Sequence, residues 1–330
     1  MMAAAVSSSW SGSSSLTTPH TITVGGLPVH VYGLPALTVP ATSSAGLAVV
    51  FVLHGRTESH EHPSIMGIVN RLVESVRERR LAPDGKGAKD LLVVTFDQRN
   101  HGHRTVDRDR NLGWMEGGRK RAQVRKDKGM QAHELDNVSH ATDMLACQVG
   151  TSRDVSFLID FLPPALFPHD ERTVTDWYSV GFSLGGHATW LALAHEPRIT
   201  LGVPIVGSPS THTLLTNRAA NLPAPAGPLP LSAPYFPRTL MSLFDALDPD
   251  RTTRDRWTGK KICVLSGADD HLVDYYKGGS DKFVEKLREW GVEVDAWVQP
   301  NTGHACTPEM IERICDFIWR RGLSPEKGKL

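Results

Sequence analysis

The chain has 330 residues, 40% hydrophobic and 22% charged, an ordinary balance for a globular protein with room for one large domain or two small ones. Lysine plus arginine and aspartate plus glutamate both number 36, so the formal net charge is zero and argues against nucleic acid or an anionic membrane as a partner. No apolar run reaches the roughly 18 residues of a membrane span, and the four scattered cysteines, Cys147, Cys263, Cys306 and Cys315, suggest neither a disulfide framework nor a CxxC metal pair.

In chain order, the serine-rich start (1–20) lacks a basic region and a long apolar core, so it reads as a disordered tail rather than a secretory signal. With four cysteines that suggest no disulfide framework, the expected location is the cytoplasm. "TITV" (21–24) and "VHVY" (29–32) flank Gly25-Gly26 as a hairpin. "LAVVFVLHG" (47–55) and "DLLVVTFD" (90–97) are continuous apolar runs that suit strands covered on both faces. Between them, 65–80 has helical apolar spacing. A helix over 141–162 is expected to stop at Pro163-Pro164. Strands follow at 174–180, 199–207, 261–267 and 292–300, alternating with helices at 186–196, 280–291 and 307–322. This βα alternation predicts an α/β fold, a mostly parallel central sheet covered by helices on both faces. A single domain over 21–322 is expected, with insertions at 98–140 and 208–250 and a short tail at 323–330.

The chemistry centres on "GFSLG" (181–185), a G-x-S-x-G sequence between a strand and a helix. A serine at a sharp strand–helix turn stands clear of the sheet, and Cβ atoms two positions away on either side would collide with neighbouring backbone. Ser183 is therefore a candidate nucleophile. It needs a base and an orienting acid, which on such a sheet follow in the order Ser, Asp/Glu, His. Asp269 and Asp270 follow the strand at 261–267, and His304 lies in the loop after the strand at 292–300. "GADDHLV" (267–273) is read best with Asp270 as the acid, and Asp269 is the alternative. The oxyanion of a tetrahedral intermediate needs two backbone N–H donors. Leu184 supplies one, and the turn after His54-Gly55 supplies the other through Arg56, with Thr57 as the alternative. His54 itself reads as a turn-stabilising hydrogen bonder.

Together "HGR" (54–56), "DQRNHG" (97–102), "GFSLGG" (181–186), "GADDHLV" (267–273) and "GH" (303–304) resemble the α/β-hydrolase superfamily, most of all its esterase, dienelactone-hydrolase and prolyl-oligopeptidase-like branches. Asn100 stands where that superfamily's D-x-R-G-H-G turn has glycine. The resemblance implies an acyl-enzyme on Ser183, His304 as general base and then acid, Asp270 orienting it, and no metal or organic cofactor. It implies a serine hydrolase acting on a small-molecule carboxylic ester, or a thioester or amide. The alternatives are an acyltransferase with the same triad and a catalytically silent binding protein. It also makes 208–250 a candidate lid, with Met241 and Phe244 covering an acyl group, and Trp114 of the earlier insertion a further pocket candidate.

Three other features carry blander readings. "GRKRAQVRKDK" (118–128) reads as a solvated basic loop. The pairs His60/His62 and His101/His103 lack an evident third ligand and read as surface or supporting polar groups. Asn137, His140 and Asp143 lie with Trp114 around the first insertion, where they could wall a pocket; the plainer reading is that Asn137, Ser139 or Thr142 caps the helix near 141.

Overall fold

The computed structural model describes residues 16–37, 46–116, 119–131 and 134–324. Residues 1–15 of the expected N-terminal tail and 325–330 of the C-terminal one lie outside the described residues.

Eight strands form one sheet: β1 (His20–Val24), β2 (Leu27–Tyr32), β3 (Leu47–Leu53), β4 (Asp90–Thr95), β5 (Val174–Phe182), β6 (Ile199–Ile205), β7 (Lys261–Gly267) and β8 (Glu293–Gln299). Their spatial order is β1-β2-β4-β3-β5-β6-β7-β8. The hairpin β1–β2 and the β2–β4 pair are antiparallel, and all other neighbours are parallel.

The apolar runs explain the layering. Every residue of β3 is buried. Leu47, Val49, Phe51 and Leu53 face one core, while Ala48, Val50 and Val52 face the other, the two-residue period of a strand covered on both sides. On the first side lie α3 (His140–Leu166), α4 (Leu184–His195) and α7 (Ser280–Glu289), through Leu158, Trp190 and Phe283. On the second lie α1 (Pro63–Leu81) and α8 (Pro308–Ile318), through Ile68, Leu72, Met310 and Ile314. Each such side chain contributes about 1.5–3 kcal/mol by leaving water. Thr307 caps α8 by accepting from Met310 N at 3.2 Å. After α8 a wider turn (Trp319–Leu323) brings Gly322 O to Tyr178 Oη at 2.8 Å and leaves Leu323 buried.

Two expectations need correction. Pro163-Pro164 do not stop α3, which runs to Leu166. Their fixed φ suits a helix, so the chain stays helical for one more turn despite losing two amide donors, and that turn closes with Phe167 N donating to Pro163 O at 2.8 Å. The basic stretch is not a loop but α2 (Arg119–Asp127), tied down by a buried Arg125–Asp136 ion pair at 2.6 Å. The second insertion contains α5 (Thr211–Ala220) and α6 (Arg238–Leu247). Among the described residues no helix is long and apolar enough to cross a membrane.

Candidate active site

Ser183 follows β5 and precedes α4, in the tight turn its flanking glycines require. Its φ of 53° and ψ of −110° form a strained backbone for a residue with a side chain. A Cβ on Gly181 would lie 2.0 Å from Gly185 O, and one on Gly185 would lie 2.2 Å from Leu53 O. The turn is pinned by Ser183 N donating to Ile205 O (2.9 Å) and Gly185 N to His54 O (3.0 Å).

Asp270 follows β7, and His304 lies between β8 and α8. Their loops converge on Ser183 because β5, β6, β7 and β8 are parallel and end on the same edge. His304 Nε2 stands 2.8 Å from Ser183 Oγ, and His304 Nδ1 stands 2.8 Å from Asp270 Oδ2. Asp270 Oδ1 accepts from Leu272 N and Val273 N, both at 2.9 Å. Burial of Asp270 alone would raise its carboxyl pKa. The His304 hydrogen bond and charge and the two amides outweigh that and hold it below the usual carboxylate range. Asp269 is exposed and makes no such contact with His304; its amide donates to Thr302 O at 2.8 Å.

The two expected oxyanion donors flank this site. Leu184 N opens α4, where an amide has no acceptor within the helix. Arg56 follows Gly55 in the turn after β3. Neither amide meets an acceptor among the described residues. The turn is held from both sides. His54 is fully buried, its Nδ1 lies 2.7 Å from Gly55 O and its Nε2 accepts from Gln98 N at 3.0 Å. Burial lowers His54 to about 4, so it is neutral. Glu58, which the sequence reading missed, accepts from Gly55 N at 2.8 Å, and burial raises its pKa.

A cavity of about 700 Å³ opens between the Arg56 turn and the His271–Leu272 loop that follows Asp270; no triad side chain lines it. Trp114 and His140 form part of its wall, in edge contact at 4.9 Å. Met241 and Phe244 do not line it. Phe244 is fully buried and packs with Leu215, Phe236 and Leu240 in a small core beneath α5 and α6, with Met241 against its flank. The apolar face read as an acyl cover is spent on holding the insertion together. Asn137 is a local brace: its Nδ2 donates to Leu112 O at 3.2 Å and its Oδ1 accepts from Ser139 N at 3.0 Å.

The histidine pairs are re-sorted by the fold. His62 caps α1, and His101 is buried beside His54, with ring centroids 5.6 Å apart. His60 and His103 instead converge on Asp97, with Nδ1–Oδ distances of 2.9 and 3.1 Å. Their three ligand atoms lie within 4.8 Å of one another, a donor set that suits zinc-like metals. Both backbone amides also donate to Asp97. Burial would raise this carboxyl, but these bonds hold it well below its usual range. As it stands the cluster is a hydrogen-bonded clamp between two loops.

No family model and no curated protein sequence matches the chain. Solved structures do. TT1662 from Thermus thermophilus superposes with a TM-score of 0.57 at 19% identity, covering 92% of this chain and 96% of that one. An acylaminoacyl peptidase in complex with a chloromethyl ketone gives 0.57 at 11% identity, covering 94% of this chain but 43% of that one. Est1E from Butyrivibrio proteoclasticus gives 0.49 at 15% identity, covering 91% and 95%. At these identities the likeness is one of architecture, and with the strand order above it establishes that this chain has the fold of the α/β-hydrolase superfamily.

Proposed function

We propose that the chain is a serine hydrolase that cleaves a carboxylic ester of a small or medium acyl group. One observation carries the reading: Ser183 Oγ, His304 and Asp270 form a continuous hydrogen-bonded line, with 2.8 Å at each junction. In the cycle that follows, Ser183 Oγ attacks the ester carbonyl carbon while His304 Nε2 takes its proton. The carbonyl electrons move onto oxygen, which Leu184 N–H and Arg56 N–H bind. Collapse expels the alkoxide, which receives the proton from His304, and leaves an acyl group on Ser183. A water deprotonated by His304 then repeats the sequence and releases the acid. Asp270, fixed by two amides, holds the imidazole with Nδ1–H towards itself and favours its cationic form.

The test is labelling of the purified protein with a fluorophosphonate probe, alongside hydrolysis of short and long p-nitrophenyl esters, in wild type and Ser183→Ala. The expected result is labelling and turnover in the wild type, both lost in the variant. Folded wild-type protein that takes no label would refute the reading and favour a silent binding protein. Label with acyl groups passed to an added alcohol or amine in preference to water would make it an acyltransferase.

A further inference from the structure

The cavity between the Arg56 turn and the loop after Asp270 has an unbalanced wall. Helix α5 is capped by Ser210, whose side chain accepts from Thr213 N, and it turns Leu214, Asn217 and Arg218 towards the cavity at helical spacing. Five charged side chains line the space: Arg56, Arg218, Lys277, Glu116 and Asp274. Both carboxylates are committed. Glu116 Oε1 holds Arg56 Nη1 and accepts from Gly113 N at 2.9 Å. Asp274 holds Lys277 Nζ at 3.5 Å and accepts from Tyr276 N and Lys277 N at 3.0 and 2.9 Å.

Arg218 is the cation left over. Among the described residues its guanidinium makes one hydrogen bond, from Nη2 to Leu272 O at 2.8 Å, and has no carboxylate partner. Its Nε is out of contact with solvent and has no acceptor. A second orphan donor belongs to the same wall: Trp114 Nε1 is likewise buried without a partner. Arg218 as a whole is half-buried, but donors shielded from solvent, as its Nε and Trp114 Nε1 are, ordinarily find acceptors. Burial, reinforced by Arg56 and partly offset by Asp270, lowers the Arg218 guanidinium to about 10.

The leftover cation also sits next to the chemistry. Leu272, whose carbonyl holds Arg218, is the residue whose amide holds Asp270. Arg56, across the cavity, contributes the candidate oxyanion amide.

We infer that Arg218 binds an anionic group on the substrate, a carboxylate or a phosphate carried by the ester a short distance from the scissile carbonyl. The inference rests on the hydrolase reading for its substrate but not for its anion site. A guanidinium offers donors in a planar fork that matches either anion and binds it with directional bonds. The same charge disfavours a purely apolar acyl chain, because such a chain would cover the cation and leave Leu272 O as its one acceptor.

The test compares p-nitrophenyl hemisuccinate with p-nitrophenyl butyrate, matched in chain length, in wild type, Arg218→Gln and Arg218→Lys. The ratio of their kcat/KM values is expected to favour hemisuccinate in the wild type. Loss of a charge-assisted contact should lower that ratio about 10- to 100-fold in Arg218→Gln, with partial recovery in Arg218→Lys. A cooperative thermal transition in each variant shows that it is folded. Calorimetric titration of succinate and of inorganic phosphate into Ser183→Ala protein reads the site without turnover, and the anion that binds identifies the source.

A ratio that does not move in folded Arg218→Gln, with neither anion binding Ser183→Ala, overturns the inference. Wild-type protein that hydrolyses neither ester but binds succinate or phosphate, with binding lost in Arg218→Gln, would sink the hydrolase reading and leave the anion site standing.

Discussion

Replacing Gly185 by alanine tests whether the serine turn is as crowded as the geometry says. The new methyl would stand 2.2 Å from Leu53 O and 2.6 Å from Leu53 C, where separations below 3.0 Å essentially never occur. The contact can be relieved only by moving backbone by about 0.8 Å, the gap between those limits. Neither side yields easily: Leu53 ends a fully buried strand, and Gly185 N is itself bonded to His54 O at 3.0 Å. Overpacking of this kind costs about 1–3 kcal/mol. Spread over the unfolding entropy of a 330-residue chain, that lowers Tm by about 1–4 °C.

The effect on reactivity should be larger, because displacing a reacting atom by about 1 Å costs on the order of 100-fold. The assay pairs a thermal melt with the rate of fluorophosphonate labelling. Gly67→Ala serves as the contrast. That glycine lies within α1, and its methyl would meet only Ile311 Cδ1 at an ordinary 3.5 Å, so it should stabilise the helix by about 0.5–1 kcal/mol. A Gly185→Ala protein with wild-type Tm and labelling rate would refute the steric account of the turn.

Two further substitutions probe the acids. Asp270→Asn should keep the fold but lower turnover by about 10⁴-fold, since the amide cannot favour the imidazolium or its tautomer. Asp269→Asn, at an exposed position, should leave turnover near wild type, and the opposite order in hydrolysis rates would reassign the acid. Asp248 tests linkage between charge and stability. It is fully buried, with Oδ1 unpartnered, and burial raises its carboxyl pKa to about 7. A folded-state pKa above the unfolded value of about 4 means its favourable contribution is complete below pH 4 and is lost as pH rises through 7. Asp248→Asn, which can still accept from His212 N, should therefore raise Tm at pH 8 by more than at pH 5. Melts showing the same difference at both pH values would contradict this.

The parts of the molecule governed by local rules were readable in the chain. The β3 run LAVVFVL needs both faces covered, and the G-x-S-x-G sequence demands a turn whatever surrounds it. The Asp270 and His304 loops followed from strand ends alone. What escaped reading depends on which elements meet. Leu240 and Phe244 have a clear helical spacing, but spacing does not say whether an apolar face looks at a ligand or at α5. His60, Asp97 and His103 are far apart in the pattern of motifs and join only because the loops after β3 and β4 are neighbours. Arg218 belongs to no motif of the sequence. The signal that would have flagged it was Ser210, an N-cap residue opening a helix, with Leu214 and Arg218 one turn apart on it.

The separation of the triad along the chain has a consequence for how the protein is made. Ser183 and His304 are 121 residues apart, while Asp270 and His304 are 34 apart. At a synthesis rate of about 5–20 residues per second, the serine emerges roughly 6–24 s before the histidine that would arm it. β7 and β8, the two strands at that edge of the sheet, emerge within that interval, β8 only at its end. Under the proposed mechanism a nascent chain therefore carries an unarmed Ser183 hydroxyl until the His304 loop emerges, and translation broken off before β8 would yield a fragment without the proposed base.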